Sequence, residues 1–528
     1  MHTGRSGFVT LVSIIAGVLA GCGDVGSGDI AADTEVQSSG LTVAQRLAAC
    51  QQDPRVVTGL VTAQVCAGAD IFFRETFDGN GRKCGTCHPA ENNTTIDPAF
   101  IANLHATNPN DPLFVFETNQ DLAHLEDGPS MFNQGTILEN IDGFETPENK
   151  FVMRSVPHVL SLATTITRDP ADATTTNPPV ERTGWSGDGA PGDGSLRQFL
   201  AGAIKQHYTK NLLRRPGDFR EPTAQELDLV NTFQRSLGRL NELDLNQVNL
   251  FDGEANVGKQ VFMDPARGRC NVCHFNAGAN FDLTGKNRNF DTRTRIAVGG
   301  AAGFVDGAFF FDGGFGGVGV AHPNFDSRDT GVLDGMGNGT FNTPPLIEAV
   351  DTAPFFHMNQ FGTEIEDAIN FYLGLFQQSP AAAELNARFN NTPLTFDQFD
   401  RDRMARFLRA LNVAFNLDIA KQRARGALTL FNRFRDTRKD VQIKLLQLAE
   451  NEIDDALAVL TSPRQRQPFY PVAVDRLGLA KQEIAAAIAA PASSRGGKIS
   501  NAVSRIENAR DTIGANVTFV MGQGNLMF

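Results

Sequence analysis

The sequence is short of tryptophan, tyrosine and positive charge, and it has no long apolar run beyond its N-terminus. Its 528 residues include 40 phenylalanines but only 3 tyrosines and 1 tryptophan, so the position of the single tryptophan invites an explanation. Acidic residues outnumber basic ones by 60 to 47, which argues against a basic face for nucleic acid. The lack of a later apolar stretch of about 20 residues argues against a membrane-spanning helix in the body of the chain.

The first 21 residues have the pattern of an export signal. Arg5 supplies a positive start, and residues 8–20 are apolar but too short to span a bilayer. The segment ends in LAGC at residues 19–22, which resembles the bacterial lipoprotein signal. We therefore expect Cys22 to carry the lipid and residues 22–45 to form a flexible tether. An ordinary secretory signal with a spare cysteine is the alternative.

Export and charge together indicate a location and a partner. Gly23, directly after the lipidated cysteine, favours the outer membrane, so we expect the chain on the periplasmic side or at the cell surface. Without residues 1–21 it keeps 46 basic and 60 acidic residues, a net charge of −14. An acidic face could steer a small redox donor such as a cytochrome c, although a merely soluble acidic surface would also explain the charge.

Four of the seven cysteines form two C-x-x-C-H motifs, at residues 84–88 and 270–274. Two thiols one helical turn apart can add to the vinyl groups of one haem, and the adjacent histidine then ligates iron. Zinc is the alternative, but zinc takes four ligands where each motif supplies three. The motifs predict two covalently bound c-type haems. The attachment residues are Cys84, Cys87, Cys270 and Cys273, and the iron ligands are His88 and His274.

Two further cysteines, Cys50 and Cys66, flank a short stretch that is compatible with a helical hairpin. An exported chain folds in an oxidising compartment, where a disulfide is the default state of two neighbouring cysteines. The sequence therefore predicts a disulfide between Cys50 and Cys66, with two buried free thiols as the alternative.

The two motifs begin 186 residues apart, about one domain length. Similar leads precede them, GADIF at 68–72 and GKQVF at 258–262, which is a weak internal repeat. We expect a mainly α protein with two tandem cytochrome c-like haem domains, at 46–245 and 246–418. A capping box at 222–226 begins a helix that closes the first domain.

The character of the sequence changes after residue 418. Three amphipathic helical patterns follow, the last after a predicted linker at 492–497, and residues 419–528 contain neither cysteine nor histidine. We therefore expect a C-terminal helical appendage for packing or for partners.

Four further segments, in this order, resemble the bacterial di-haem cytochrome c peroxidase superfamily, including its MauG-type branch. They read RSVP at 154–157, WSGD at 185–188, NTPPL at 342–346 and APFFH at 353–357. The resemblance covers roughly residues 65–415. It implies two haem domains and oxidoreductase chemistry.

The resemblance also implies roles for single residues. Trp185 would lie between the haems and could relay electrons, or it could be a packed core aromatic. The family's acid–base glutamate aligns with Thr209, so the nearby His207, which ordinarily titrates near working pH, could move protons instead. A solvated histidine at a helix end is the alternative. Ser155 replaces the asparagine of the family, which weakens the case for the interdomain calcium ion.

The sixth ligand of the second haem is also implied by alignment. Tyr372 occupies the position at which the peroxidases place a methionine and the MauG-type branch a tyrosine. Phenolate would stabilise oxidised iron, whereas a thioether would raise the potential. Met336 and Met358 are alternative ligands, and Tyr372 could simply pack in the core.

The sequence is compatible with three functions. The first is a peroxidase that reduces hydrogen peroxide at the first haem with electrons that enter at the second. The second is a MauG-type oxidase acting on a bulky external substrate, and the third is a di-haem electron carrier without catalysis. The missing glutamate favours the third, and the resemblance favours the first two.

The lipid anchor is testable in the whole protein. Two acyl chains give stable membrane attachment where one is marginal, so we expect the wild-type protein to partition into the detergent phase and Cys22→Ser to stay in the aqueous phase. Equal partitioning of the two forms would rule out the anchor.

Overall fold

A computed structural model describes residues 40–123, 126, 128–140, 151–174, 178–187, 192–294, 340–359, 362–465 and 469–528. The predicted signal, Cys22, most of the tether and Met336 lie outside the described residues. The protein is mainly helical, with 53% of residues in helices and 6% in strands, as predicted. No helix among the described residues has the length and apolar character to cross a membrane.

Seventeen α-helices are described, and most begin at a side chain that caps the first turn. In the first half they are α1 Val43–Cys50, α2 Pro54–Val57, α3 Ala63–Arg74, α4 Cys84–Cys87, α5 Pro98–Thr107, α6 Val115–Thr118, α7 Gly128–Gln134, α8 Leu162–Thr165, α9 Leu196–His207 and α10 Ala224–Gln234. In the second half they are α11 Gly253–Met263, α12 Ile365–Phe371, α13 Pro380–Ala387, α14 Gln398–Phe434, α15 Lys439–Thr461, α16 Pro471–Ala489 and α17 Ala492–Arg510.

The predicted capping box at α10 is confirmed. The Glu226 amide donates to the Thr223 hydroxyl, and the Glu226 carboxylate accepts from the Thr223 amide at 2.8 Å. Both of these backbone donors at the helix start are therefore satisfied.

Four antiparallel strand pairs are described. They are β1 Thr136–Asn140 with β2 Phe151–Ser155, β3 Asn249–Leu250 with β8 Gly514–Ala515, β4 Asn280–Phe281 with β5 Lys286–Asn287, and β6 Asn289–Phe290 with β7 Phe341–Asn342. Two of them, β3 with β8 and β6 with β7, connect distant parts of the chain. The β3–β8 pair joins the C-terminal tail to the start of the predicted second domain.

The weak repeat in the sequence corresponds to a repeated helix crossing. In the first copy, α3 crosses α10 so closely that a Cβ on Gly68 would lie 2.1 Å from the Leu229 carbonyl oxygen. One turn later, the rings of Phe72 and Phe233 meet edge to face at 5.2 Å. Only glycine allows the two backbones to approach this closely.

The second copy repeats this arrangement with other residues. Helix α11 crosses α14, where a Cβ on Gly258 would lie 1.9 Å from the Arg403 carbonyl oxygen. One turn later, the rings of Phe262 and Phe407 meet at 5.3 Å. Each crossing brings together a helix that precedes a C-x-x-C-H motif and a helix far along the chain.

Helix α14 is 37 residues long and continues through the predicted boundary at residue 418. It is buried on all sides over 407–420, because the second crossing packs on its first half and the appendage helices pack on its second half. One hydrophobic core takes side chains from all three predicted regions. The domain boundaries stay predictions.

The predicted linker at 492–497 is wrong, because these residues form the first turns of α17. Gly496 is at a close approach, where a Cβ would lie 2.4 Å from the Phe431 ring. Arg495 is buried and pairs with Asp436. Packing against α14 therefore overrides the low helix propensity of the two glycines.

A disulfide joins Cys50, at the end of α1, to Cys66 in α3. It lies in the hydrophobic core beside the first helix crossing. The α1–α3 hairpin is therefore covalently closed next to the helix that precedes the first motif.

The glycine crossings can be tested by adding one methyl group. Gly258→Ala forces α11 away from α14 and should lower the free energy of unfolding by at least about 2 kcal/mol. Gly478→Ala is the matched control, because nothing lies within 4 Å of that position in α16. It should raise stability by about 0.5–1 kcal/mol. Thermal denaturation measures both, and equal effects would contradict the crossing.

Candidate functional site

The first C-x-x-C-H motif is a single helical turn held by a backbone contact. Cys84 and Cys87 begin and end α4, and His88 follows it. The His88 Nδ1 atom lies 2.7 Å from the Thr94 carbonyl oxygen. A carbonyl can only accept, so Nδ1 carries the proton and Nε2 keeps its lone pair. Burial lowers the pKa of His88 to about 4, so the ring is neutral at working pH.

The second motif has the same arrangement on a different backbone. Residues Cys270–Val272 form a 3-10 turn, and the His274 Nδ1 atom lies 3.0 Å from the Pro344 carbonyl oxygen. Burial lowers the pKa of His274 to about 4. Both histidines therefore offer a neutral Nε2 in a fixed orientation, the form in which imidazole ligates a metal.

The four motif cysteines are free thiols in the structure. Burial raises the pKa of Cys84 to about 11 and that of the other three to about 12, so all four are protonated at neutral pH. The Tyr208 hydroxyl also donates to the Cys84 sulfur at 3.2 Å. Free thiol pairs beside an oriented histidine fit the demands of covalent haem attachment.

Both motifs open into one cavity of about 390 Å³. Its walls are mostly apolar and aromatic, and they include Phe72 and Phe262 from the two helix crossings. A single apolar cavity that reaches both motifs can hold large planar groups close to each other. The helix crossings therefore place both motifs on the same internal space.

Trp185 lies in the wall of this cavity. Its indole Nε1 donates to the Ser155 carbonyl oxygen at 2.9 Å, and its ring meets the His357 ring edge to face at 6.4 Å. The His357 ring in turn stacks on Phe341 at 4.0 Å. The tryptophan is therefore both packed and oriented, which is compatible with either predicted role.

His207, the last residue of α9, also lines the cavity. Burial, with Arg82 and Arg214 nearby, lowers its pKa to about 3, and its Nδ1 atom is buried without a hydrogen-bond partner. This corrects the expectation that His207 titrates near working pH. Because the low pKa follows from tertiary surroundings, it could not be read from the sequence.

Tyr372 directly follows α12 and lines the cavity beside the second motif. Burial raises its pKa well above the ordinary value, and the nearby Cys270 and Cys273 raise it further. Met358 is buried but is not among the described residues that line the cavity. The position of Tyr372 is therefore compatible with the predicted ligand role.

Met404 was missed by the sequence analysis. It lies on α14 next to the second crossing and lines the cavity. Its sulfur is 3.9 Å from the Cys270 sulfur. The sequence carried no sign of this contact, because the two residues are 134 positions apart.

Charged side chains in the cavity wall were also missed. Among the described lining residues, five are cationic and only Glu139 is anionic. The cations are Arg82, Lys83, Arg154, Arg182 and Arg269. Arg269 is buried and bonds to the carbonyl oxygens of Pro265 and Thr392. Three of the five already form ion pairs, Arg82 with Glu126, Arg154 with Glu139 and Arg182 with Asp172, so most of this positive charge is compensated.

Metal-site geometry is absent from the described part of the chain: no three His, Cys, Asp or Glu side chains there are placed to hold an ion. At the calcium position implied by the resemblance, the Ser155 hydroxyl donates to the Phe356 carbonyl oxygen at 3.1 Å.

Comparisons with protein-family models, with curated proteins and with solved structures find no match to this chain. Function is therefore inferred from the geometry of the cavity and of the two motifs.

Proposed function

We propose that this chain is an exported, lipid-anchored di-haem c-type oxidoreductase that reduces hydrogen peroxide. The observation that carries the proposal is the shared cavity, into which each motif presents two free thiols and a histidine oriented by a backbone carbonyl. The same contact is made by carbonyls from different places in the chain, Thr94 six residues after His88 and Pro344 seventy residues after His274, which is hard to explain by packing alone.

The fold supports the same conclusion. Each motif follows a helix whose glycine and phenylalanine cross a distant helix, at Gly68 and Phe72 and again at Gly258 and Phe262. We therefore propose that residues 46–245 and 246–418 are two cytochrome c-like haem domains, related to the di-haem peroxidases. Bound haem would supply redox-active iron at each motif.

The residues of the chain would orient the groups and move protons. His88 and His274 would ligate iron through Nε2, with Thr94 and Pro344 holding the ring planes. Each peroxide that becomes two waters consumes two electrons, which the donor protein supplies, and two protons, which come from solvent. His207, neutral and facing the cavity, would accept a hydrogen bond from bound peroxide rather than donate a proton from an imidazolium.

Electrons would come from a small redox donor such as a cytochrome c, attracted by the acidic surface. They would enter at the second motif and cross the cavity wall past Trp185. Lipid attachment would keep the protein at a membrane surface on the periplasmic side or outside the cell.

An electron carrier without catalysis is the second candidate. It is favoured by the low pKa of His207, which leaves no titrating acid at the position that the resemblance indicates. A MauG-type oxidase is the third, and the place of Tyr372 in the cavity wall favours it.

Mass and spectrum test the proposal. We expect the intact wild-type protein to carry the mass of two haems, Cys84→Ala and Cys270→Ala each to lose one covalent haem, and the oxidised protein to show one high-spin haem that reacts with peroxide. No added mass would refute haem attachment. Two low-spin haems inert to peroxide would select the electron carrier.

The relay role of Trp185 is tested by Trp185→Phe. We expect slower electron transfer between the haems, because phenylalanine is much harder to oxidise, while both haems stay bound. Flash or stopped-flow reduction measures the rate. Phe199→Leu, which also lies in the cavity wall, is the control, and an unchanged rate in Trp185→Phe would leave the tryptophan a packing residue.

The ligand role of Tyr372 is tested by spectroscopy. With tyrosine bound, the oxidised protein should lack a sulfur-to-iron charge-transfer band, and Tyr372→Phe should change the spectrum of the second haem only. Such a band, untouched in Tyr372→Phe and abolished by Met336→Ala or Met358→Ala, would assign the ligand to a methionine.

A further inference from the structure

Three distant parts of the chain meet at two carboxylates outside the cavity wall. Asp351 follows the segment that orients His274, Asp455 belongs to α15 of the appendage, and Asn93 lies in the loop after the first motif. The Asn93 amide donates to the Asp455 carboxylate at 3.3 Å and lies 3.4 Å from the Asp351 carbonyl oxygen.

The Asp351 carboxylate is held by neutral donors. The side-chain amides of Asn412 and Asn416, one turn apart on α14, donate to its two oxygens at 2.8 and 2.6 Å. Amides fix the position of a carboxylate but bring no positive charge to compensate it. Within the described residues, no lysine or arginine forms an ion pair with Asp351 or Asp455.

The other charged groups that face the pair do not supply this compensation. They are Glu348 beside Asp351, and Glu452 and Asp454 on α15, all of them acidic. Arg423 is bonded to Glu452 and Arg239 to Glu348, each at 2.7 Å. Both arginines therefore already have a carboxylate partner.

Ionising both carboxylates at once is therefore energetically unfavourable. Burial raises the pKa of Asp351 to about 6. Burial raises the pKa of Asp455 well above its ordinary value, with the Asp351 and Glu452 charges adding to it. Burial also raises the pKa of Glu452, to about 7. Near neutral pH such a pair retains a proton.

A short chain of contacts runs from this pair to the first motif. Asn93 precedes Thr94, the residue whose carbonyl oxygen orients His88. Both have left-handed backbone conformations, with φ values of 50° and 56°, and the Thr94 hydroxyl accepts from the Val159 amide at 3.0 Å. Asn93 and Thr94 therefore form a turn with a fixed backbone between the carboxylate pair and His88.

We propose that Asp351 and Asp455 form a proton-binding site whose occupancy is communicated to His88 through Asn93 and Thr94. This inference rests on the proposed function, because the group at His88 is the haem. When an electron that entered at the second motif reaches that haem, the added negative charge would favour the uptake of one proton from water by the pair. By thermodynamic linkage, loss of the proton from the pair must disfavour reduction of that haem to the same extent.

The site also gives the appendage a role. Helix α15 supplies Asp455, and the Asn451 amide on the same helix lies 3.4 Å from the Glu91 carbonyl oxygen in the first-motif loop. Residues 439–461 thus complete a site that the two predicted haem domains do not form by themselves.

The test uses the haem-loaded full chain. In the wild type, the reduction potential of one haem should fall as pH rises from about 5 to about 8, the range around the raised pKa values. Asp455→Asn should reduce that slope at least twofold. Asp440→Asn, an exposed change on the same helix, is the matched control and should keep the wild-type slope. Equal slopes in all three proteins would overturn the inference.

Infrared spectroscopy gives a second readout that needs no turnover. A protonated-carboxyl band should be present in the wild type at neutral pH and clearly weaker in Asp455→Asn, where Glu452 can still contribute to it. If Asp455→Asn does not fold, the same measurement is made on Asp351→Asn. Asn93→Gly, which tolerates the left-handed backbone, should keep the band but flatten the slope of the potential. Absence of the band in the wild type would overturn the inference even if two haems are bound. If no haem is bound, the proposed function fails, and the band still tests the carboxylate pair.

Discussion

The close contact between helix backbones at two glycines is the constraint on which this structure depends. At Gly68 and Gly258 a side chain of any size would meet a carbonyl oxygen of the partner helix. The contact fixes where Phe72 and Phe262 enter the cavity wall. It also brings the helix that precedes each motif into register with a helix more than a hundred residues away. Without these crossings the two motifs would have no common interior.

The cavity between the motifs determines the chemistry of its wall. Burial in this wall lowers the pKa of His88, His207 and His274 and keeps the thiols protonated. The same burial favours charged side chains that are already paired, as Arg82 is with Glu126 and Arg182 with Asp172. Neutral imidazoles beside free thiols suit a covalently attached prosthetic group.

The appendage is more closely integrated than its sequence indicates. The pattern after residue 418 predicted separate helices behind a boundary, whereas α14 runs through that position to residue 434. Residues 492–497, which look like a linker, are helical because Gly496 packs on Phe431. Whether these residues are helical depends on contact with a partner surface, and a short window of sequence does not contain that surface. The same integration brings Asp455 against Asn93 and Asp351.

The sequence by itself determined the features that local spacing encodes. These are the helical content, the capping box at Thr223 and Glu226, and the pairs of thiols one turn apart beside His88 and His274. The tertiary structure alone decided which carbonyl orients each histidine, how far the pKa of His207 falls, and which carboxylates meet. The physical reason is that attachment chemistry requires neighbours along the chain. Burial and unpaired charge depend on neighbours in space that only the folded chain brings together.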